Sequence, residues 1–261
     1  MAARAGRLDS GVVRLVHARW WLVDVGALVL VAAAAVLGGA AQSVLGFGAA
    51  FTLVPALAVV APDLLPGAAI TAFLPLTALM AFRERHHADR PAAKRLVMAR
   101  VPGTLVGTVA VALLPTRGLA ATVAFLLLAA VVSTARGWTL PETRRTETAA
   151  GLISGFSGTA VGLGGPPLAL LYRQRHSSEI RPTLAVVFGL GTVLSLATLG
   201  ATGGFDVEDL RAGLALGGLN VVGMVLAAPA LRRLPETVIR QGLLVWAFVG
   251  AVLALLRVVA G

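Results

Sequence analysis

Two glycine-rich segments hold the residue types best suited to bind a ligand. The first reads Gln42-Ser43-Val44-Leu45-Gly46-Phe47-Gly48-Ala49. The second reads Ser154-Gly155-Phe156-Ser157-Gly158-Thr159-Ala160-Val161-Gly162-Leu163-Gly164-Gly165-Pro166-Pro167. Proline removes a backbone donor and blocks the turn before it, and glycine tolerates conformations closed to other residues. Each segment should therefore interrupt a helix. A helix restarting at Ala49 or at Pro167 would aim free N–H groups and the positive end of its dipole at the break, a place that holds an anion without a formal charge. The Gln42 amide and the hydroxyls of Ser43, Ser157 and Thr159 add donors there, and Gly46, Gly48, Gly162, Gly164 and Gly165 let a ligand approach the backbone. Close helix packing would explain one isolated Gly-x-Gly. Its recurrence, with Gly-Gly-Pro-Pro in the second copy, favours a site.

The other polar residues also point to an anion. Between the interfacial ends of the apolar runs there is no Asp or Glu; Asp24 stands at the start of the first run and Asp63 in a turn. Cation and proton carriers place a carboxylate near mid-membrane. This chain offers Gln42, Thr71, Thr104, Thr192, Ser195 and Asn220 instead, and Asn220 stands out because an amide in lipid needs a partner. Arg100 lies about a turn inside its run. The reading favoured for it is snorkelling to the cytoplasmic surface, with an anion at the cavity mouth as the alternative. His86 and His87 lack a third ligand nearby and read as a solvated loop. No Ser-His-Asp set, nucleotide loop or paired carboxylate argues for an enzyme, and nothing calls for a cofactor or metal.

The elements that must position these residues belong to a membrane protein. Hydrophobic residues make up 57% of the 261 residues, charged residues 13%, and the mean hydropathy is +0.88. A soluble domain carries about 25% charged residues. A bilayer core needs about 20 apolar residues per helix, and such runs recur at about 22–61, 64–82, 96–115, 118–136, 149–172, 181–202, 209–230 and 236–257. The net charge of +10 falls between the runs, where it orients the chain and meets anionic lipid, so nucleic acid is not the expected partner. There is no cysteine. Arg4, Arg7, Arg14 and Arg19 precede a run that begins near Leu22, as in a signal peptide, and Gly39-Ala40-Ala41 imitates a cleavage site. The run continues into the first glycine segment, so residues 1–21, with Trp20 and Trp21, read as a cytoplasmic interfacial anchor.

Two halves are expected. Gly39, Gly46, Gly48 and Gly107 recur 116 positions later as Gly155, Gly162, Gly164 and Gly223. The arginine-rich loops 83–95 and 136–147 should be cytoplasmic. Arg173, Arg175, Arg232 and Arg233 join them only if 149–172 is a re-entrant hairpin; a true span would put Arg173 and Arg175 outside. Hairpins in both halves would leave three spans per half, inverted, with the N-terminal arginines outside.

In these motifs the chain resembles the TauE/SafE family of sulfite and organosulfonate exporters. The second copy, from Ser157 to Pro167, matches the family's glycine signature, and Arg181 with Pro182-Thr183-Leu184 matches a basic position that often follows it. In the first copy Gln42 and Ala49 replace common glycines. The likeness runs from about residue 30 to the C-terminus and implies about eight helices and transport of small, often sulfur-containing anions.

The sequence thus predicts an all-α polytopic membrane protein with about eight transmembrane segments in two pseudo-symmetric halves, each opening with a Gly-broken or re-entrant helix. Residues 22–136 form the first half, 137–148 the connecting loop and 149–261 the second half. The expected function is export of a small anion, such as sulfite or an organosulfonate, by alternating access in the inner (plasma) membrane. The anion and lipid are the expected partners, the coupling ion is open, and a homodimer is compatible with the chain. The rivals are an intramembrane enzyme acting on a lipid-linked substrate, with His86 and His87 at its mouth, and a non-transporting scaffold.

Overall fold

The computed structural model describes residues 25–260. The N-terminal anchor and its four arginines lie outside the described residues. All regular structure among them is helical. In chain order the helices are α1 (Val25–Leu45), α2 (Ala49–Val60), α3 (Gly67–Glu84), α4 (Arg90–Leu113), α5 (Thr116–Ala135), α6 (Arg144–Val161), α7 (Gly165–Leu171), α8 (Ser177–Ala201), α9 (Val207–Val222) and α10 (Glu236–Ala260). A π turn, Gly223–Ala227, and a last turn, Ala228–Leu231, prolong α9.

Five helices are long and apolar enough to cross a bilayer: Val25–Leu45, Arg90–Leu113, Ser177–Ala201, Val207–Leu231 and Glu236–Arg257. Val29, Val106, Val109, Val193, Leu226 and Val245 on them are exposed. In water such a surface would aggregate, whereas in lipid it is the expected exterior. The chain is a multi-pass membrane protein.

Both glycine segments break a helix, for local reasons. Gly46 (φ 85°) and Gly48 (φ 142°) occupy backbone regions that side chains resist, so the long first run divides into α1 and α2. The two helices fold back on each other: Gly38 packs on Ala49 and the Thr52 side chain, and Gly48 on Ala41. The second broken element starts earlier than the apolar pattern suggests, because Thr143 and Thr146 form a reciprocal cap ahead of it. Gly162, at φ 75° and ψ 9°, ends α6 in the left-handed conformation. The chain restarts at Gly165 rather than at Pro167, with both prolines in the first turn, where their missing donors cost nothing.

One end of the bundle is tied by polar contacts between distant connectors. Arg181 pairs with Glu84 at 2.9 Å, Arg95 with Glu147 at 2.5 Å and Arg175 with Glu142 at 2.7 Å. The Asp89 N–H donates to Thr183 Oγ1 at 2.9 Å, and Ser177 Oγ donates to Glu236 at 2.7 Å. The connectors after α3, α5, α7 and α9 therefore meet at this arginine-rich end, and the α6–α7 element begins and finishes there. At the opposite end Gly67 abuts the Asp209 carboxylate and Gly204 lies against Val111. The α1–α2 hairpin opens toward that second end, since α2 leads into Gly67.

Helix contact rests on small residues. A Cβ at Gly103 would overlap the Leu152 carbonyl oxygen, and one at Gly155 the Arg100 carbonyl oxygen, so α4 and α6 touch backbone to backbone. Gly39 meets the Asn220 carbonyl and Gly223 the Val36 carbonyl in the same way, joining α1 to α9. Lipid gives no hydrophobic drive for helix association, so close backbone approach supplies the attraction.

Candidate functional site

The two breaks face one cavity in the middle of the bundle, about 40 Å³ in volume. Gln42, Phe47, Gly48, Ala50 and Phe51 line it from the first break, and Gly158, Gly162, Gly164 and Gly165 from the second. Ile70, Phe73 and Thr77 of α3, Arg100 of α4, and Phe188, Thr192 and Ser195 of α8 complete the wall. A single water needs roughly 10–15 Å³ by this measure, so the space suits a few waters or one small ligand.

Arg100 supplies the charge of this cavity. Its side chain is 3% exposed, so it does not snorkel to the surface. Nη1 donates to Ser154 Oγ at 2.5 Å, Ser154 Oγ donates to the Gly164 carbonyl at 2.5 Å, and the guanidinium lies 5.9 Å from the Phe188 ring centroid. Nε has no hydrogen-bond partner. None of the ion pairs among the described residues includes Arg100. Three glycines make room for it: a Cβ at Gly191 would overlap Nε, one at Gly158 would lie 3.0 Å from Nη2, and one at Gly164 3.2 Å from Nη1.

The helix N-termini contribute less than the sequence suggests. The Ala49 N–H of α2 is already capped by Gln42 Oε1 at 3.2 Å. At α7, Pro166 and Pro167 carry no N–H. The cavity therefore holds a formal charge, that of Arg100, where helix dipole ends, hydroxyls and amides were expected.

Of the residues singled out from sequence, Gln42, Gly48, Gly162, Gly164, Gly165, Thr192 and Ser195 line the cavity, and so does Arg100. The others lie elsewhere. Ser43 Oγ donates to the Ala40 carbonyl and Ser157 Oγ to the Ile153 carbonyl, each at 2.8 Å within its own helix. Thr159 bonds Ser195 Oγ at 2.7 Å and so fixes a wall residue from behind. Gly46 sits against Arg181 of α8, whose Nη1 donates to the Ser43 carbonyl at 3.1 Å. Asn220 is fully buried, and its Nδ2 donates to the Ala72 carbonyl at 2.9 Å, tying α9 to α3 outside the cavity. His86 and His87 stand exposed on the connector after α3, and no metal-binding cluster occurs among the described residues.

Arg100 is the lining residue that the favoured sequence reading, snorkelling, placed in the wrong environment. A signal existed. Gly103 and Gly107 follow it at i+3 and i+7, so all three share the helix face that packs on α6.

A polytopic helical membrane protein with two broken helices around a buried cationic cavity has the architecture of a membrane transporter. The chain belongs to the family described as sulfite exporter TauE/SafE, a transporter family, which it matches over residues 31–254. No match was found among curated proteins or among solved structures.

Proposed function

We infer that the protein exports a small oxoanion, sulfite or an organosulfonate, and that Arg100 is the centre of its binding site. The observation that carries this reading is a guanidinium buried in the central cavity with an unpartnered Nε and no paired carboxylate. An uncompensated charge in a medium of low dielectric is costly, and an oxoanion relieves that cost by accepting the free donors of the planar fork. Phe51, Phe73 and Phe188 exclude water and accommodate the short apolar part of an organosulfonate. The family's description, sulfite exporter, supports export and a sulfur oxoanion as the ligand.

Two inverted halves would allow alternating access. The Gly155–Arg100 and Gly103–Leu152 contacts resemble Gly39–Asn220 and Gly223–Val36. That would make α1 the counterpart of α6 and α9 that of α4, with Gly223 answering to Gly103 in place of the Gly107 that the 116-residue spacing pairs with it. Arg100 and Asn220 then occupy equivalent places. One hairpin opens at each end of the bundle, as inverted repeats would require, with three helices beside it in each half, of which α4, α8, α9 and α10 are long and apolar enough to cross a bilayer. On this reading the halves would meet at the connector between Ala135 and Arg144. Rocking of one half on the other would expose Arg100 to each side in turn. The arginine-rich end faces the cytoplasm of a plasma membrane by the positive-inside rule. That orientation would set Val25 at the outer end.

Sulfite efflux from proteoliposomes tests the reading. Wild-type protein should release sulfite, and Arg100→Gln should lower the rate at least about a hundredfold, as losing a buried charge contact does, with membrane yield unchanged. Sulfite efflux at the wild-type rate from Arg100→Gln would remove Arg100 from the site.

A further inference from the structure

A second cavity, about 20 Å³, lies between the central one and the arginine-rich end. Arg173, on the connector after α7, and Arg240, in the second turn of α10, both line it, with Thr134 and Ala169 beside them. Its lining contains no carboxylate. The Arg173 guanidinium is held by the Thr134 carbonyl at 2.9 Å. The carboxylate paired with Arg240, Glu236, is 3.8 Å away and accepts a shorter bond from Ser177 at 2.7 Å. Two guanidiniums facing one small space repel each other, and an anion between them relieves that repulsion.

Phe47 and Phe51 line both cavities. Their ring centroids are 6.3 Å apart, and Phe47 is 6% exposed. Phe47 sits at the tip of the α1–α2 turn, between Gly46 and Gly48, and its Cβ would lie 3.7 Å from a Cβ added at Gly165 in the other break. The Arg240 guanidinium rests over its ring, 5.3 Å from the centroid. A cation over the ring face attracts it. The two flanking glycines hold the turn at positive φ, 85° and 142°, conformations that only glycine adopts readily.

We propose that Arg173 and Arg240 form a second site for a small oxoanion, on the arginine-rich side, and that Phe47 is the gate between this site and Arg100. The proposal rests on the transport reading and extends it to the route of the substrate. An anion arriving at Arg240 draws the guanidinium off the Phe47 ring. The gate then loosens only when a substrate waits behind it.

The test uses proteoliposomes of uniform orientation, with sulfite supplied from one side at a time. Arg240→Gln should raise the KM for sulfite on the arginine-rich side about tenfold, the loss expected for one charge-assisted hydrogen bond, and leave the KM on the opposite side unchanged. Arg240→Lys should restore most of the affinity. Phe47→Ala should let sulfite leak at rest. An unchanged KM in Arg240→Gln, or an equal rise from both sides, overturns the second site while Arg100-dependent flux stands. Failure of the wild type to move sulfite or a sulfonate overturns the transport reading and this proposal together.

Discussion

Arg100 and Ser154 meet across the α4–α6 contact: guanidinium Nη1 donates to the serine hydroxyl at 2.5 Å, and the hydroxyl passes a bond on to the Gly164 carbonyl at 2.5 Å. This relay couples the one buried charge of the cavity to the backbone of the second glycine motif.

Ser154→Ala should keep the fold and loosen Arg100. A hydrogen bond to a charged group is worth about 1.5–3 kcal/mol, so the sulfite KM should rise roughly tenfold or more. Sulfite flux in proteoliposomes, read beside a melting curve in detergent, checks this. A lower melting temperature with an unchanged KM would make Ser154 a packing residue only.

The glycines around Arg100 should separate from glycines elsewhere. A Cβ at Gly191 overlaps Arg100 Nε, and a leucine at Gly164 has no room beside Nη1, whereas a Cβ at Gly218 meets nothing within 4 Å. Gly191→Ala and Gly164→Leu should lose sulfite flux with insertion intact. Gly218→Ala should transport normally and gain up to about 1 kcal/mol from helix propensity. Wild-type flux in Gly191→Ala would show that the guanidinium can sit elsewhere.

Asn220→Ala should act on stability and leave affinity alone. Its amide ties α9 to α3 through the Ala72 carbonyl, and loss of such a bond costs about 1 kcal/mol, with the bared carbonyl adding to it. Detergent melting should fall by a few degrees. A tenfold change in the sulfite KM would instead return Asn220 to the binding site.

Orientation is open to direct labelling, because the native chain has no cysteine. Ala88→Cys lies in the connector after α3 at the arginine-rich end, and Thr202→Cys at the opposite end. In intact cells an impermeant thiol reagent should label position 202 and spare position 88. The reverse pattern would invert the topology.

Much of the fold could be read from local chemistry. The breaks at Gly46–Gly48 and Gly162–Gly165 fall where glycine and proline leave a helix no alternative, and positive φ at Gly46, Gly48 and Gly162 bears this out. The early start of α6 could not be read from hydropathy, because Thr143 and Thr146 cap a first turn that is polar. The environment of Arg100 was equally hidden. An arginine about a turn inside an apolar helix can reach the surface or turn inward, and the choice depends on which face meets a neighbour.

What the sequence alone determined is the class of the protein and the position of its helix breaks, since lipid solubility and backbone conformation are set by residue type over short stretches. Only the tertiary structure decided that both breaks open on one cavity, that Asn220 serves as a tie and that Arg100 stands in the centre. The physical reason is that lipid does not distinguish one apolar helix face from another. Glycines far apart in the chain, such as Gly103 against Leu152 and Gly39 against Asn220, select the faces that meet, and those pairings exist only once the helices have packed.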